Sequence, residues 1–413
     1  MNGTVLLDDG GGLFGPMVDL RPVFALRSGI FTTAERVVAA SGQPAVAAIV
    51  PAGLAEPTRV APPELEVNAV PSGDGPWLVV NGRLLDPPDG VGLEVGTAEV
   101  DPEDGSIRRG LLDADGIEAL LASERPTADE LPDSVTRIER FEPPLATRPW
   151  DVFTTAGGRI AGDLGRLGEA QDDRWMRLHG GTSVGDHPIR IARTAILDPL
   201  VVLDAREGPI VVAEDAHLGA HAVLVGPCAV MAGTKVAAHA TLKANTVVGP
   251  GCRIGGEVGG TVFQGHANKS HDGHLGDAWV GEWVNLGAGT TNSNLLNTYD
   301  EVSMRLEPDG PRVRSGRQFL GCLLGDHVKT AIGTRIMTGT VIGTGAMIAR
   351  STPPPGSTPR FAWLTDDGTR TYRIDRFLAT AATVLARRDL ELDPAMERRL
   401  RSLHAAATED AGP

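Results

Sequence analysis

"IVVAEDAHLGAHAVLVGPCAVMAGTKVAAHATLKANTVVGPGCRI", residues Ile210 to Ile254, decides the fold. Within it Val212, Leu218, Leu224, Val230, Val236, Leu242, Val248 and Ile254 fall six residues apart. An α-helix repeats about every 3.6 residues and a strand about every 2, so neither explains the spacing. A hexapeptide period belongs to the parallel β-helix. There one aliphatic residue per short strand points into a triangular core, and small residues turn the corners. With about one residue in three aliphatic, eight in register by chance is on the order of one in several thousand. The row predicts buried aliphatics and stacked coils of about 18 residues.

The same spacing runs upstream through Ile191, Leu197 and Leu203, shifted by three, and resumes at Val280 and Leu286. It returns at Leu324, Ile336, Ile342 and Ile348, with Thr330 filling one slot. Corners such as those in "VGPGCRIGGE" carry the Gly, Asn and Asp that tolerate left-handed backbone. Two stretches lose the period, Gly255–Gly273 and Asn292–Phe319, and both read as loops leaving one face, where binding is expected.

The flanks differ. "TVLLDD" and "PWLVVNGRLL" read as buried strands of an α/β sheet. "GIFTTAERVVAA" and "GIEALLASE" have helical spacing, with Thr32 or Thr33 as the cap of the first. The expected division is an α/β domain over 1–150, a helical linker over 151–185, a left-handed β-helix over 186–352 and a helical extension over 353–413. The basic residues of that extension read as a solvated face. Gly10-x-Gly12-x-x-Gly15 matches a dinucleotide fingerprint only formally, because Pro16 follows and no acid closes a second strand.

Composition narrows the function classes. The chain has 413 residues, 41% of them hydrophobic but only 4% aromatic, which suits a narrow core of Val, Leu, Ile and Ala. A net charge of −15 argues against nucleic acid as a partner, while leaving room for a small phosphorylated ligand on local cations. Three widely spaced cysteines, Cys228, Cys252 and Cys322, do not suggest a disulfide framework. No signal-like opening or long apolar run appears, so the expectation is a cytoplasmic protein without a membrane partner.

One segment carries chemistry. "SHDGHLGDAWVGEWVNLGAGTTNSN", Ser270 to Asn294, sets two histidines before a run of small residues. It resembles the active-site segment of left-handed β-helix acetyltransferases, with His271, His274, Leu275-Gly276-Asp277, Asn285, Gly287-Ala288-Gly289-Thr290 and Asn294 at the family's spacings. The family is that of the bifunctional N-acetylglucosamine-1-phosphate uridylyltransferases / glucosamine-1-phosphate acetyltransferases. "VLLDDGGGLFGPMVDLRPVFALRSGIFTTAERV" is similar to the opening of a divergent sugar nucleotidyltransferase branch of that family.

The resemblance implies an acetyl-CoA-dependent N-acetyltransferase acting on an amino-sugar phosphate or nucleotide sugar, as in UDP-N-acetylglucosamine-type biosynthesis, and working as a homotrimer. It implies His271 and Asn285 as catalytic residues, and His274, Asn294 and Lys269 as substrate-binding. Gly287, Ala288 and Gly289 would lie along acetyl-CoA, and Gly10, Gly11, Gly12, Arg21 and Asn81 along a nucleotide. This chain departs from the family pattern at several points. The nucleotidyltransferase loop becomes Leu7-Asp8-Asp9-Gly10-Gly11-Gly12, its arginine is missing, and Asn81 stands for the metal-binding aspartate. The family tyrosine is His274, and the loop lysine after Asn294 is absent. Nucleotidyl transfer and bare sugar-nucleotide binding both stay open for the first domain, with Mg2+ required only for transfer.

The chemistry fits the residue types. Acetyl transfer from a thioester to an amine needs a base for the amine proton and donors for the tetrahedral oxyanion. Imidazole titrates near neutral pH, which suits His271, and a carboxylate such as Asp272 could orient it. The amide of Ala288 is the candidate donor to the thioester carbonyl. Two other readings stand beside this one. His266 and His271, with His239 or His217, resemble the zinc ligands of β-helical γ-class carbonic anhydrases. A non-catalytic, sugar-nucleotide-binding trimeric scaffold would explain the decayed first domain. No metal is required by the acetyltransferase reading.

Overall fold

The computed structural model describes residues 3–60, 64–167, 175–176 and 181–409; the parts of the expected linker at 168–174 and 177–180 lie outside them. The chain begins with a seven-stranded sheet of order β3-β2-β1-β4-β6-β5-β7. Its strands are β1 (Thr4–Leu7), β2 (Ala45–Ile49), β3 (Glu66–Val67), β4 (Trp77–Asn81), β5 (Thr97–Val100), β6 (Ile107–Leu112) and β7 (Thr136–Glu139). The first four neighbours run parallel, and β6 is antiparallel to both β4 and β5. Continuous apolar runs form these strands because both sheet faces are covered. Val5 and Leu7 of β1 enter one apolar cluster, and Leu6 enters the other.

Helix α1 (Thr33–Ser41) follows β1. Thr32 is its cap, accepting a hydrogen bond from Glu35 N while the Glu35 carboxylate accepts one from Thr32 N. α2 (Ala55–Thr58) follows β2, and α3 (Ala114–Leu121) follows β6. α4 (Pro149–Phe153) and α5 (Ala156–Arg166) then lead toward the second half. Arg36 of α1 forms a fully buried ion pair with Asp163 of α5, which fixes that connection.

From Thr182 onward the chain winds into a left-handed parallel β-helix with three faces. Within each coil it passes from face one (as at Cys228–Val230) to face two (Lys235–Val236) to face three (Thr241–Leu242). The eight residues of the hexapeptide row are all buried, none more than 3% exposed. Val211 pairs with Ala229, 18 residues on, as the period requires.

The two expected interruptions behave differently. Gly255–Gly273 is not a loop. Glu257–Gly259, Val262–Phe263 and Asn268–Lys269 are ordinary rungs of the three faces. Val247 pairs with Val262, 15 residues on, and Val262 with Trp279, 17 on. Shortened corners shift the phase without breaking the stack. Asn292 still pairs with Ile336 as a rung. The chain beyond it, to Phe319, does leave the solenoid, as a hairpin of Ser303–Arg305 and Arg312–Arg314 with a bridge from Leu295 to Phe319 closing its base. Stacking also continues past 352, since Ser357–Thr358 pairs with Val341 and Ile342 and Ala362–Thr365 pairs with Met347–Ala349.

The two halves share a core. Phe14, Met17, Val23, Leu26 and Ile30 join the apolar cluster that fills the β-helix. Arg21 forms a two-pronged contact with buried Asp326 at 2.9 Å and reaches Glu282 at 3.1 Å. Asp19 pairs with Arg360, which also holds Glu307. The tail is two helices, α6 (Ile374–Ala386) and α7 (Pro394–Glu409), pinned to Phe361 and Leu20 by Phe377, Leu400 and Leu403. No helix among the described residues is long and apolar enough to cross a membrane.

Candidate active site

His271 sits at a corner between faces two and three, in the segment Ser270–Gly273. The preceding coil turns the same corner on Gly255 and Gly256 alone, between Ile254 and Glu257. The following coil turns it on Gly287–Thr290. A two-residue corner on one side and small residues on the other leave the imidazole exposed in a notch. Gly273 takes φ +127° there, and a Cβ on it would run into the Thr290 carbonyl. The corners are stitched by Gly255 N donating to Lys269 O at 2.6 Å and Gly289 N donating to Asp272 O at 3.1 Å.

The Gly287–Thr290 corner is a type II turn. Thr290 N donates to Gly287 O at 3.0 Å, and Gly289 at the third position has φ +72°. Gly287 N is taken by Thr330, through its carbonyl and its hydroxyl, and Gly289 N by Asp272. Among the described residues the Ala288 N–H alone of the three has no acceptor. The equivalent amides of Ala220 and Ala238 are also unpaired, so the free donor belongs to every such corner. Histidines flank those corners too, but His221 and His239 stack on each other, whereas His271, one coil from Ala288, has no ring partner among the described residues.

The carboxylate beside this corner serves the other histidine. Asp272 accepts no hydrogen bond from His271; its part is the backbone bond to Gly289. His274, on face three, places Nδ1 3.2 Å from Glu257 Oε1, and Lys243 from the coil before also bonds that oxygen. The Lys243 hydrogen bond, helped by the charge of His274, holds the Glu257 carboxyl below its ordinary value. Asn294 donates to Asp277 Oδ2 at 2.6 Å, and burial pushes the Asp277 carboxyl upward. Arg317, on the returning arm of the excursion, brings positive charge toward Asp277. Glu257, Lys243 and Arg317 were not visible to local spacing, because each reaches the site from another coil or from the far end of the loop.

Other expected site residues go elsewhere. Lys269 occupies the interior row between Ile254 and Leu286, where burial lowers its pKa to about 8 against the pull of Asp272. Its ammonium donates to the carbonyls of Gly255 and His271 at 2.8 and 2.9 Å, so it shapes the corner from inside and does not face a substrate. Asn285 lies outward on face two, accepting from Asn268 Nδ2 at 2.6 Å, apart from His274 and Asn294 on and after face three.

In the first domain, Arg83 grips Asp9 through Nε at 2.9 Å and Nη2 at 2.6 Å. Asn81 donates to the same carboxylate at 2.7 Å. Asp8 accepts from Gly10 N and Val23 N. With all four carboxylate oxygens engaged internally, these residues do not fit a divalent cation. Gly10, Gly11 and Gly12 form the turn around that pair, and a Cβ on Gly11 would lie 2.7 Å from the Arg83 guanidinium. Arg21 is committed to Asp326 on the β-helix, so it is removed from the glycine turn.

The histidines of the zinc reading are not gathered within the chain. His266 stacks on Trp283 at a corner between faces one and two, with ring centroids 4.6 Å apart. His239 stacks on His221 at 4.8 Å on the two–three edge, and His217 lies 3.1 Å from Asp198 on face two. Among the described residues no three His, Cys, Asp or Glu side chains form a cluster able to hold a metal.

Comparison with known proteins adds to this picture. Residues 5–171 match the family model of sugar nucleotidyl transferases. Over 202 residues the chain is 31% identical to the bifunctional protein GlmU of Nostoc sp., covering 43% of this chain and 44% of that one. It is 32% identical over 144 residues to the bifunctional sugar-1-phosphate nucleotidylyltransferase/acetyltransferase of Sulfurisphaera tokodaii, covering 34% and 35%. The chain thus spans less than half the length of these curated relatives. Among solved structures, the polysialic acid O-acetyltransferase OatWY aligns with 46% of this chain and 87% of its own, at 11% identity and a TM-score of 0.21, which supports no conclusion. Residues 5–171 are thus similar to sugar nucleotidyl transferases, and less than half of the chain is similar to bifunctional GlmU proteins.

Proposed function

We propose that the chain is an acetyltransferase, moving acetyl from acetyl-CoA to the amine of an amino-sugar phosphate or nucleotide sugar at the His271 corner. The observation that carries this reading is the pairing of an exposed imidazole with the free Ala288 amide one coil away. His271 takes the amine proton as nitrogen attacks the thioester carbonyl, and the Ala288 N–H meets the oxygen that becomes negative. The thiolate of CoA then leaves. His274, held by Glu257, and Asn294 line the acceptor side. The first domain, with its carboxylates occupied by Arg83, Asn81 and backbone amides, is a binding rather than a transferring unit in this reading. The same reading places the enzyme in the cytoplasm, which its three buried free thiols suit.

Ala288→Pro tests the oxyanion role. Ala288 holds the second position of a type II turn, where proline fits the backbone and removes only the N–H. The expected result is a kcat about 10²–10³ lower with a KM for acetyl-CoA close to unchanged. The melting temperature should be equal or higher. Unchanged kcat in a folded Ala288→Pro chain would remove that amide from the mechanism.

We also infer a homotrimer. His271 is exposed in an open notch, which a neighbouring copy would wall. Along the same two–three edge, Leu200 and Ile332 are 59% and 80% exposed, which suits a neighbouring copy. Cyclic closure would give three equivalent sites. Sedimentation at micromolar concentration should find a trimer, and a stable monomer would contradict the assembly.

A further inference from the structure

A recess of about 470 Å³ lies on face two, away from the His271 notch. Its floor is the outward column Arg253, Asn268, Asn285 and Lys329, residues stacked in successive coils. Trp283 and His266, lying flat against each other, form one wall. The end of α6 supplies the other with Val384, Arg387 and Arg388.

The charge of this recess is unlike that of the molecule. Ten residues line it; four are Arg or Lys and none is a carboxylate, in a chain of net charge −15. Nearby Glu282 is already drawn to Arg21. The cations are not spent on one another or on acids. Lys329 Nζ is buried and has no hydrogen-bond partner among the described residues. Arg388 donates to Gly251 O through Nη1, and Arg253 donates through Nη1 to the carbonyls of Gly233 and Cys252. The other guanidinium nitrogens of both have no acceptor among the described residues. Asn285 accepts from Asn268, which leaves the Asn285 amide N–H groups to donate. Burial lowers the Lys329 pKa to about 8, and Arg253 is lowered by burial and by facing Arg388. A dianion would relieve both strains, since like charges and a lone buried ammonium each cost free energy.

We propose that this recess binds the phosphate group of a phosphorylated small molecule, held by Arg253, Lys329 and Arg388 with Arg387 at the rim. Converging arginines favour a phosphate over a monoanion, because their planar forks match its oxygens and their charge matches its own. The volume suits one small molecule, and the chain's net charge of −15 disfavours long polyanions. Trp283 and Asn285 border the phosphate and would meet the attached group. The basic residues at the end of the extension, which read in sequence as a solvated face, include this wall: Arg387 is exposed, but Arg388 is half-buried against the solenoid. The proposal is independent of acyl transfer. Binding is read as heat, and a chain that binds but transfers no acetyl leaves it standing.

The test is calorimetry on the full chain at low salt with three probes: inorganic phosphate, glucose 1-phosphate and adenosine 3′,5′-bisphosphate. Saturable binding of at least one probe, one site per chain, is the expected result. Preference for the sugar phosphate points to a sugar ester as ligand, and preference for the bisphosphate to the nucleotide end of an acyl carrier. Lys329→Met and Arg388→Met should each weaken binding about tenfold or more. Lys329→Met loses no hydrogen bond and should melt no lower than the parent, which guards against a folding artefact. No saturable heat from any probe at millimolar concentration would overturn the site, with a carboxylate from a partner copy then the better occupant. Binding that survives both substitutions intact would overturn it equally.

Discussion

Val230→Asp should unfold the β-helix locally and lower the melting temperature by about 10 °C or more. Val230 is fully buried in the hexapeptide row, on a rung paired to Val212 on one side and Val248 on the other. Neighbours at this depth are aliphatic, so a carboxylate would either ionise without a partner or stay protonated with unmet hydrogen bonds. The cost is about 4 kcal/mol or more. In a solenoid each coil leans on the next, so a broken rung disturbs both of its neighbours. The first domain shares the same core through Met17 and Leu26, and its loops should loosen as well. A Val230→Asp chain that melts with the parent would contradict the assigned register.

His271→Ala should lower kcat for acetyl transfer by about 10²–10⁴. The side chain is exposed and carries no hydrogen bond, so removal should leave stability within about 0.5 kcal/mol. The KM for acetyl-CoA should change little, because the proposed path of the carrier is along the Ala288 side of the corner. The deficit should shrink at high pH, where the acceptor amine is already free. His274→Ala should do less, since its place beside Glu257 suits orientation of the acceptor. A larger loss in His274→Ala than in His271→Ala would transfer the base to the Glu257–His274 pair.

Sequence reading went furthest where structure is local. The aliphatic row announces the solenoid because each coil repeats one rule, and the Gly287-Ala288-Gly289 turn is legible because left-handed backbone selects glycine. The stretch from Gly255 to Gly273 was misread for a physical reason. A corner reduced to two glycines shortens the coil and shifts the period, while the strands still pair. Long-range partners were out of reach. Arg21 looked free beside a glycine turn, yet its partner Asp326 is 305 residues away. Asn81 stands where the family places a metal-binding aspartate, yet it and Arg83, on a neighbouring strand and its turn, engage Asp9 instead. Lys269 carries a residue type that suggests a substrate contact, and only its row position reveals that it points inward.

The most direct test of acyl transfer at this corner is release of CoA by the purified full chain, given acetyl-CoA and a panel of amino-sugar phosphates and nucleotide sugars. The expected result is release that depends on an acceptor carrying a free amine, with an N-acetylated product identified by mass. No acceptor-dependent release from a folded chain that binds acetyl-CoA would contradict it.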